Sequence, residues 1–559
     1  MKKKVLWFAL FLVLACAARA QEWVNLTPKP MQMTLAEGRL TLPERFTINT
    51  GALPEEMAAE AEKFADAFRT ATGRKVKVRR NSGKAFLHMD RSTAGLGDEG
   101  YELDVTADGI TLKATTPAGF YYGFQSLKKM LPANVMAGVR DRSVTDYSLP
   151  LVSIQDAPRF PYRGFMLDVA RHFFTTDEVK RMIDVMSYYK MNRFHWHLSD
   201  DQGWRVEIKK YPRLTEHGSI ASNSLFTDME EGEYWINRPY GPYFYTQEEL
   251  RDVVAYAKER HIEVIPEIDM PGHFMAAMAS YPEYSCTPRG RHDVWCGWGV
   301  STDVLNVADT AAVRFARDIL TEIMDIFPYE YIHIGGDECP TTAWENNALC
   351  QARYKELGLT SYRQLQSHFI EEMAEHIQAR GRQLMVWNEA ITAQGADTAM
   401  LRKTGATVMC WVGPEAAARK AASLGMNNII TPIGPYYINR KQSTSPSEPP
   451  GAGDGKDNLR RTYTYVPVPA DLPASLQRYY TGVQGTFWTE HVSDRSYLEY
   501  LALPRLIAIA EAGWTQEKDK DFDDFCRRIT ADRALLDYGH YNYGRHFMLD
   551  SPVADPGVQ

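Results

Sequence analysis

The sequence has little of several features that mark common classes of protein. Its 559 residues include only seven cysteines and no Cys-x-x-Cys pair, so a small disulfide scaffold is excluded. Acidic residues outnumber basic ones, 71 to 63, and no long basic stripe is present, which argues against a nucleic-acid partner. The chain contains no Gly-x-Ser-x-Gly motif and therefore no sign of a serine hydrolase elbow. A hydrophobic content of 44% instead indicates a folded protein of about two to four domains.

Long hydrophobic runs are also scarce, with one short exception at the N-terminus. Lys2–Lys4 precede the apolar run Val5–Ala15, and the small residues of Ala18–Ala20 predict a signal peptide over residues 1–20. The run is shorter than the about 20 residues that a membrane-spanning helix needs. Alternatively, Val13–Cys16 acts as an imperfect lipobox with a lipid anchor at Cys16. Either way we expect an exported protein, in the periplasm or at the cell surface.

In an oxidising compartment outside the cytoplasm, the remaining cysteines can form disulfides. Cys286 and Cys296, ten residues apart in a loop rich in Gly, Pro and Arg, are the natural candidates for a disulfide. Cys339 with Cys350 is a weaker candidate. Cys410 lies in a strand-like run, and we expect it to be a buried thiol.

Residues 21–157 mix short β runs with two helical stretches and predict a small α/β domain. This segment holds no dense cluster of histidines, acids or nucleophiles, so we interpret it as an accessory domain. The predicted strands are Phe46–Asn49, Lys75–Val78, Ala85–Met89, Tyr101–Val105 and Ile110–Ala114, and the predicted helices are Pro54–Thr72 and Pro117–Leu131.

From residue 158 to 515, short apolar strands alternate with amphipathic helices, the pattern of parallel β/α architecture. Eight strands can be counted, so we expect a (β/α)8 TIM barrel with its active site at the C-terminal strand ends. An open doubly wound sheet is the alternative, but no glycine-rich phosphate loop follows the first strand. The predicted strands are Tyr162–Asp168, Asn192–His197, Ile262–Ile268, Tyr331–Gly335, Gln383–Trp387, Thr407–Trp411, Asn428–Thr431 and Val483–Trp488, and the predicted helices are Thr176–Tyr189, Gln247–Arg260, Thr310–Phe327, Ser361–Ala379, Pro414–Leu424 and Tyr497–Ala512.

Two segments do not follow this repeat. Gln442–Arg461, rich in Ser, Pro and Gly, is predicted as a long surface loop that could overhang the site. Residues 516–559 predict a helix over Asp521–Leu536 and an aromatic tail, Tyr538–Tyr543, that we expect to pack against the barrel.

Polar and aromatic residues fall at the ends of nearly all predicted barrel strands, where such a barrel places its chemistry. The fourth strand ends in Gly335-Gly336-Asp337-Glu338, in which two glycines allow close approach of the backbone before adjacent carboxylates. We interpret Asp337 and Glu338 as catalytic rather than as a solvated helix start. The other strand-end residues are Asp168, Arg171, His197, Asp200, Asp201, Glu267, Asp269, His273, Trp387, Asn388, Glu389, Trp411, Trp488, Thr489 and Glu490.

Three of these residues, Trp387, Trp411 and Trp488, predict a walled pocket, because sugar rings present apolar C–H faces to aromatic side chains. Paired carboxylates among tryptophans, in an exported protein, are typical of glycoside hydrolysis. Arg171 fits this interpretation as a fork of donors facing hydroxyl groups, with a structural ion pair as the alternative.

The histidines leave a second hypothesis open. His195 and His197 alternate along one strand and therefore face the same way, and with His273 and nearby acids they could bind a metal ion. A metal-dependent hydrolase would leave the tryptophans unexplained, and no His-x-x-x-His helix pair accompanies these residues. We expect no metal and no organic cofactor.

The motifs along the barrel closely resemble those of the family-20 glycoside hydrolases, the exo-acting β-N-acetylhexosaminidases. The resemblance covers the whole barrel in order, its motifs are together very specific, and the N-terminal domain looks like the usual accessory domain of that family. The matching motifs are Gly164–Phe173, Phe194–Trp204, Pro266–His273, His333–Glu338, Val386–Glu389 and Gly485–Glu490.

The resemblance implies a retaining mechanism in which the 2-acetamido carbonyl of the sugar attacks its own anomeric carbon and forms an oxazolinium-type intermediate. By motif, Glu338 is the general acid and then the base, and Asp337 holds the acetamido N–H. Tyr437 would donate to the acetamido oxygen, with adjacent Tyr436 as the alternative. The remaining implied roles are Trp387, Trp411 and Trp488 as walls of the −1 pocket, Arg171 and Glu490 as ligands of the ring hydroxyls, and Asp200 and His273 as partners that set the protonation of Glu338.

These roles place an electrostatic demand on the site. A general acid near neutral pH needs a pKa raised from about 4.3 towards 6, so we expect a raised pKa for Glu338 and a charged Asp337. Because side chains alternate along a strand, we expect the strand to end at Gly336 and the chain to turn there.

At one position the chain departs from the family pattern. Asn439, followed by Arg440 and Lys441, stands where relatives commonly have an aspartate. An amide can still bond sugar O4 or O6, but the lost negative charge leaves the preference between gluco and galacto sugars, and tolerance of a 6-sulfate, open. We expect an exo-β-N-acetylhexosaminidase acting on terminal GlcNAc or GalNAc of glycans. A non-catalytic glycan-binding protein and a metal-dependent hydrolase are the alternatives, and no oligomeric state is predicted.

Overall fold

The structure, a computed structural model, describes residues 24–228, 232–236, 238–287, 293–449 and 451–545. The predicted signal peptide and Cys16 lie outside the described residues. Within the described ranges, every helix is too short or too polar to span a bilayer.

The N-terminal domain is a seven-stranded mixed sheet that packs against three helices, with strand order β1-β7-β5-β6-β4-β2-β3. All five predicted strands are present. The two strands that were missed are β1, which is largely exposed, and β7, which contains Pro150, so neither shows clear apolar alternation. The strands are β1 Gln32–Thr41, β2 Arg45–Asn49, β3 Lys75–Arg79, β4 Leu87–Arg91, β5 Tyr101–Val105, β6 Ile110–Ala114 and β7 Ser148–Asp156, and the helices are α1 Glu55–Thr72, α2 Pro117–Lys129 and α3 Ala133–Ala137.

The second domain is a closed barrel of eight parallel strands, which confirms the predicted TIM barrel. Each predicted strand is present within three residues of its predicted bounds. The barrel strands are β8 Tyr162–Asp168, β9 Arg193–His197, β14 Glu263–Glu267, β15 Tyr331–His333, β16 Gln383–Trp387, β17 Thr407–Cys410, β18 Asn428–Ile430 and β19 Tyr480–Phe487, and two small ribbons, β10 Ser199–Asp200 with β11 Gly203–Trp204 and β12 Ser224–Asp228 with β13 Gly232–Ile236, lie between β9 and β14.

Helices surround the barrel, and local sequence signals set where several of them begin. Thr175 with Glu178 and Thr246 with Glu249 form capping boxes at the starts of α4 and α6. The predicted helix Tyr497–Ala512 is instead two helices, because Pro504 has no N–H to continue the first. The helices are α4 Thr176–Tyr188, α5 Arg213–Glu216, α6 Gln247–Lys258, α7 Met275–Ser280, α8 Thr310–Ile326, α9 Thr342–Glu345, α10 Ala348–Glu356, α11 Arg363–Gln378, α12 Glu389–Thr392, α13 Thr398–Lys403, α14 Pro414–Ser423, α15 Leu459–Thr464, α16 Ala474–Gln477, α17 Arg495–Ala502, α18 Arg505–Trp514, α19 Phe522–Ala531 and α20 Arg533–Tyr538, and single 3-10 turns occupy Pro282–Tyr284 and Glu517–Asp519.

The barrel interior changes character along its axis. Its lower part is filled by apolar side chains such as Met166, Ile265 and Met385. Above them, at the C-terminal ends of the strands, buried histidines and carboxylates replace the apolar residues. The polar end of the barrel is therefore the end at which the strand-end residues meet.

The opposite, N-terminal end of the barrel rests on the accessory domain through buried ion pairs. Arg163 on β8 donates to both carboxylate oxygens of Glu99, each at 2.8 Å. Lys190 Nζ donates to Asp156 Oδ2 at 2.9 Å, and Trp514 Nε1 donates to Asp156 Oδ1 at 2.9 Å. These contacts join the two domains at the face that carries no strand-end cluster.

The segment predicted as a loop, Gln442–Arg461, is irregular until α15 begins at Leu459. It is anchored rather than loose, since Arg505 Nη1 donates to the Asp457 carbonyl at 2.8 Å and Gln442 Nε2 donates to the Tyr500 carbonyl at 2.7 Å. The predicted C-terminal helix is divided at Asp532 into α19 and α20. Tyr541 and Tyr543 of the aromatic tail pack on the barrel as expected, whereas the Tyr538 hydroxyl donates to Asp141 of the accessory domain at 2.5 Å.

The predicted disulfides are wrong for this structure, in which all six described cysteines are free. Cys286 lies near Cys350 instead of Cys296, with the two sulfurs 4.0 Å apart, because Asn347 at the start of α10 donates to the Cys286 carbonyl. Cys339 joins the same apolar cluster as Cys286 and Cys350 without bonding either. Cys410 is buried as predicted, and burial raises the pKa of its thiol.

Candidate active site

The C-terminal rim of the barrel encloses a cavity of about 290 Å³. It collects side chains from the ends of several strands, which are far apart in sequence but adjacent in a closed barrel. Ten of the eleven predicted site residues line it directly, and Trp387 is the exception. The lining comprises Arg171, Asp200, His273, Trp298, Asp337, Glu338, Trp411, Ile433, Tyr437, Asn439, Arg440, Ala452, Trp488, Glu490 and His491.

Aromatic rings wall this cavity. The Trp411 and Tyr437 rings stack with centroids 6.0 Å apart and an angle of 10°, and Tyr437 meets Trp488 at 6.2 Å. Tyr436, the alternative to Tyr437, is fully buried against Tyr465 and does not line the cavity. Of the two candidates for the acetamido donor, only Tyr437 therefore lines the cavity.

Trp387 differs from the prediction that it lines the pocket. Its ring is fully buried, and its centroid lies 6.0 Å from that of Trp488, beneath the lining residues. Its Nε1 donates to Glu267 Oε1 at 2.8 Å. Trp387 thus supports the wall from below, because its strand, β16, ends at this residue and directs the ring into the barrel.

The two adjacent carboxylates are presented by a sharp turn. Strand β15 ends at His333, three residues before the predicted Gly336, and Gly335, Gly336 and Glu338 have φ of 67°, 86° and 41°. A Cβ on Gly335 would lie 1.8 Å from Asp269 Oδ1, and the Gly336 N–H donates to that oxygen at 3.1 Å. The glycine pair is therefore required both for the left-handed turn and for close packing on Asp269.

Glu338 stands at the rim of the cavity, with 45% of its side chain exposed. Its Oε2 lies 3.4 Å from His273 Nε2, and its backbone N–H donates to Glu389 Oε2 at 3.0 Å. The hydrogen bond from His273 holds the pKa of Glu338 below its usual range. The expected raised pKa is therefore wrong for the free protein, since a neighbouring cation favours the carboxylate more than partial burial disfavours it.

Asp337 has the opposite environment, because it points into the barrel. Only 6% of the residue is exposed, and Oδ1 has no hydrogen-bond partner among the described residues. Burial, with the nearby Glu389 and Glu267 carboxylates, raises the pKa of Asp337 to about 7. The environments of Asp337 and Glu338 differ, as expected. The pKa of Asp337, however, is the one that is raised, and the pKa of Glu338 is the one that is lowered.

Arg171 is held at the centre of three carboxylates. Its guanidinium lies 3.1 Å from Asp168, 2.9 Å from Asp200 and 3.7 Å from Glu490, and it stacks over the Trp488 ring at 5.0 Å. The structural ion pair is therefore present, and Arg171 and Glu490 also line the cavity, as the functional interpretation requires. The network fixes the direction in which the guanidinium fork faces.

Asp200 and His273 connect this network to Glu338. Asp200 Oδ1 accepts from His273 Nδ1 at 3.0 Å, and Oδ2 accepts from His197 Nε2 at 2.9 Å. Burial alone would disfavour a charge on His273, but Asp200 outweighs it and raises the pKa of His273 well above its usual range. The predicted partners of Glu338 are thus in contact with each other, and His273 joins them to Glu338.

Asn439 lines the cavity and is 6% exposed, and its Oδ1 has no partner within the described ranges. A buried, unpaired amide oxygen that faces a cavity is suited to accept a hydrogen bond from a hydroxyl group. Sequence reasoning assigned no role to its neighbours at the rim, Arg440 and His491, or to Trp298, which is 41% exposed and 5.3 Å from His491 between ring centroids. The sequence signal for Trp298 was the pair of tryptophans in the short segment Trp295-Cys-Gly-Trp298.

The histidines of the metal hypothesis are not brought to one point. His195 groups with Glu267 and His333, whereas His273 groups either with Asp200 and Asp201 or with Asp337 and Glu338. Each of these sets has atoms within 4.8 Å of one another, so their donor types do fit a cation. The three histidines together do not form the single triad that the sequence suggested.

Comparison with known proteins agrees with this geometry. A model of the catalytic domain of glycosyl hydrolase family 20 matches residues 160–517, and a model of domain 2 of that family matches residues 24–157. The site is therefore that of a glycoside hydrolase, and the chain belongs to glycosyl hydrolase family 20.

Individual relatives are β-hexosaminidases. The chain is 38% identical to one from Porphyromonas gingivalis, over 96% of this chain and 67% of the relative, and 30% identical to one from Akkermansia muciniphila, over 84% and 90%. It covers 66% of a 35% identical relative from Vibrio furnissii.

Solved structures give the same result. An exo-β-N-acetylglucosaminidase from Vibrio harveyi in complex with N-acetylglucosamine matches with a TM-score of 0.80 and 31% identity, over 93% of this chain and 78% of that one. The N-acetyl-β-hexosaminidase of Streptomyces plicatus in complex with thio-NAglucal matches with a TM-score of 0.79 and 30% identity, over 93% and 96%.

Proposed function

We propose that this glycoside hydrolase removes one terminal β-linked GlcNAc or GalNAc at a time from glycans and retains the anomeric configuration. The exo-β-N-acetylhexosaminidase activity follows from the family and from the named activities of its relatives. The observation that supports it most strongly is the Asp337-Glu338 pair at an aromatic-walled cavity, with one carboxylate buried and the other at the rim.

In the first step the acetamido oxygen of the sugar bonds to the anomeric carbon, the bond to the leaving oxygen breaks, and Glu338 supplies the proton that this oxygen takes. Tyr437 donates its O–H to the acetamido oxygen, and Asp337 accepts the acetamido N–H. Burial raises the pKa of Tyr437 well above its usual range, which keeps its proton available for donation. Asp337 Oδ1, which lacks a partner in the described protein, is free to accept the N–H.

In the second step water attacks the anomeric carbon and opens the oxazolinium ring, while the Glu338 carboxylate accepts a proton from the water. The position of Glu338 suits both steps. Its exposed rim position gives access to the leaving group and to water, and His273 stabilises the carboxylate that remains after proton donation.

The substrate changes the two environments in the required direction. A glycan seated in the cavity covers the exposed side chain of Glu338, and loss of water disfavours its charged form. The acetamido N–H supplies Asp337 with a donor, which favours its charged form. Sugar binding therefore moves the proton of the pair from Asp337 to Glu338.

We also propose that the protein is exported and reaches the periplasm or cell surface, because Lys2–Lys4, Val5–Ala15 and Ala18–Ala20 have the composition of a signal peptide. Cys16 is the candidate for a lipid anchor. N-terminal sequencing of the protein from cell fractions, with and without labelling by radioactive palmitate, distinguishes cleavage after residue 20 from lipidation at Cys16.

The function is tested by rates on nitrophenyl β-glycosides of GlcNAc, GalNAc and glucose, each with and without EDTA. Activity confined to the two acetamido sugars and unaffected by EDTA is the expected result. Comparable hydrolysis of the glucoside would mean that a protein carboxylate is the nucleophile, and loss of activity in EDTA would favour the metal-dependent hydrolase. Binding of GlcNAc without turnover of any glycoside would favour a glycan-binding protein.

The same assay tests Asn439. Because its amide carries no charge, the ratio of GlcNAc to GalNAc rates in the wild type, compared with that in Asn439→Asp, measures what the lost carboxylate changes. We expect the ratio to shift by about 10- to 100-fold, the range of one hydrogen bond to a charged group.

A further inference from the structure

We propose that Glu267 is a positioning residue that holds two parts of the active site at once: Trp387 beneath the pocket and, through His197, the partners of Glu338. This role rests on the function proposed above. It concerns a side chain that neither contacts the cavity nor acts on the sugar.

Glu267 ends strand β14 and is fully buried, and each of its two oxygens serves a different part of the site. Oε1 accepts from Trp387 Nε1 at 2.8 Å, and Oε2 accepts from His197 Nδ1 at 2.6 Å. Two more imidazole nitrogens are close, His195 Nε2 at 2.9 Å and His333 Nδ1 at 3.0 Å. Burial disfavours a charge here, but the surrounding histidines outweigh it and hold the pKa of Glu267 well below its usual range.

From His197 a continuous chain of contacts leads to the catalytic acid. His197 Nε2 donates to Asp200 Oδ2 at 2.9 Å, Asp200 Oδ1 accepts from His273 Nδ1 at 3.0 Å, and His273 Nε2 lies 3.4 Å from Glu338 Oε2. The groups alternate between carboxylate and imidazole. Each imidazole therefore bridges two carboxylates, which fixes the orientation of its ring.

Only an acidic residue at position 267 serves both parts. The indole N–H of Trp387 is always a donor, and His197 must donate from both nitrogens in order to bridge Glu267 and Asp200. With both nitrogens protonated, His197 is a cation, and Glu267 and Asp200 together raise its pKa to about 10 against the effect of burial. A glutamine offers one acceptor and one donor group, so it can satisfy Trp387 or a doubly protonated His197 but not both.

Glu267→Gln therefore separates the two parts. Its amide oxygen keeps the bond from Trp387, while its NH2 faces His197 Nδ1 and forces that ring into a neutral form. Asp200 then loses a cationic partner, and the orientation of His273 towards Glu338 is weakened. The loss must be largest where proton donation matters most, that is, for a poor leaving group.

The test compares kcat for a GlcNAc disaccharide, which has a poor leaving group, with kcat for the dinitrophenyl glycoside of GlcNAc, which has a good one. For Glu267→Gln we expect kcat on the disaccharide to fall at least about tenfold more than kcat on the dinitrophenyl glycoside. Competitive inhibition by free GlcNAc should stay within about threefold of the wild type, because the Trp387 bond is kept.

Trp387→Phe tests the other part. It removes the indole N–H but leaves the bond between Glu267 and His197, so we expect weaker inhibition by GlcNAc and equal losses on the two substrates. Glu511→Gln is the matched control, since Glu511 is a fully buried carboxylate bonded to Arg528 at 2.5 and 2.6 Å, away from the cavity. It should lower the melting temperature without changing the ratio of the two kcat values.

If Glu267→Gln does not fold, His197→Gln breaks the same chain one residue later and should show the same dependence on the leaving group. An equal loss on both substrates, or no loss, in the folded variant would overturn the role of Glu267 while leaving the proposed function intact. A wild-type protein inactive on both substrates would overturn the proposed function and this role together.

Discussion

The two ends of the barrel both bury charged side chains, but they satisfy these charges differently. At the N-terminal end Arg163 and Glu99 form a two-bond pair, and the Arg163 Nε also donates to the Lys190 carbonyl at 2.8 Å. Lys190 in turn pairs with Asp156, whose two oxygens accept bonds at 2.7–3.0 Å. The charged groups of these four side chains are therefore all paired, although the nearby Arg193 Nε and Tyr329 hydroxyl have no partner among the described residues.

At the C-terminal end a single carboxylate pairs with several cationic side chains, and some buried carboxylate oxygens have no hydrogen-bond partner among the described residues. Asp200 alone serves Arg171, His197 and His273. The described structure gives no hydrogen-bond partner to Asp337 Oδ1 or Asp269 Oδ2, although both are buried. An unpaired buried polar atom costs about 1–3 kcal/mol, and next to a cavity a ligand can offset this cost by bonding to the atom.

The difference teaches that buried charge alone does not identify an active site. Both ends have an ion pair in which each side chain is less than about a tenth exposed, Lys190 with Asp156 at one end and Arg171 with Asp168 at the other. What distinguishes the functional end is a buried carboxylate oxygen without a partner in the described structure, Asp337 Oδ1, at a cavity walled by aromatic rings. Four changes test this comparison, in decreasing order of expected effect.

The largest effect is expected at the rim acid. Glu338→Gln removes the proton donor while keeping the shape, so kcat on a GlcNAc disaccharide should fall by at least about 100-fold, within the range for loss of general acid catalysis. The measurement is steady-state kinetics with the melting temperature as a check on folding. A folded variant with near-normal turnover would remove Glu338 from its role.

Substitution of the buried carboxylate, Asp337, should lower kcat somewhat less than substitution of Glu338. Asp337→Asn removes the charge that stabilises the acetamido group as it becomes positive, so kcat should fall by about 100-fold while GlcNAc still binds. Turnover at the wild-type rate would be incompatible with the assignment.

The same variant should be more stable than the wild type, which is the signature of a group buried for function. Because the folded-state pKa of Asp337 is raised from 3.8 to about 7, ionising it costs the folded protein up to about 4 kcal/mol above pH 7. The stability gain of Asp337→Asn should therefore grow between pH 4 and pH 7 and stay constant above that. Thermal unfolding at pH 5 and pH 8 checks the sign, and a larger gain at pH 5 would contradict it.

At the other end of the barrel the expected effect is on stability alone. Arg163→Met leaves Glu99 without its buried partner, so the free energy of unfolding should fall by about 3–5 kcal/mol. The kcat of the protein that remains folded should equal that of the wild type. A selective loss of kcat would show that the two ends are coupled and would break the comparison.

The smallest effect is the pH dependence of the wild type. His273 holds the pKa of Glu338 below its usual range and burial raises that of Asp337 to about 7, so the pair carries one proton between these two values. Catalysis needs one proton in the pair, and the last proton is lost as the pH rises through about 7. We expect kcat/KM to fall about tenfold for each pH unit above that point. A flat profile to pH 9 would show that Asp337 is not part of the titrating pair.

Much of the fold could be predicted because its signals are local. The strand Tyr162–Asp168 matches the prediction at both ends, and the capping boxes at Thr175 and Thr246 begin helices where expected. Strands β1 and β7 were missed because their pairing with each other, and not an apolar pattern, makes them strands. Cys286 was assigned the wrong neighbour because proximity in sequence says little about which helix docks on a loop.

Some features of the candidate site could likewise be predicted from the sequence, and others could not. Side chains at strand ends could be named in advance, since a closed barrel brings all strand ends to one rim. The choice of Tyr437 over Tyr436 could not, because it depends on which of two adjacent rings faces Trp411. The pKa directions at Asp337 and Glu338 were wrong because they depend on depth of burial and on the position of His273, and neither is a property of the motif.

By itself, the amino-acid sequence determined the barrel, the family and the identity of the two carboxylates, because strand periodicity and the Gly335-Gly336-Asp337-Glu338 motif are written in consecutive residues. Only the tertiary structure decided which carboxylate is buried, that Trp387 supports the pocket from below, and that Glu267 connects this tryptophan to His197. The last of these features depends on side chains 70 and 120 residues apart in the sequence that meet when the barrel closes. Their distances and burial set the electrostatics of the site.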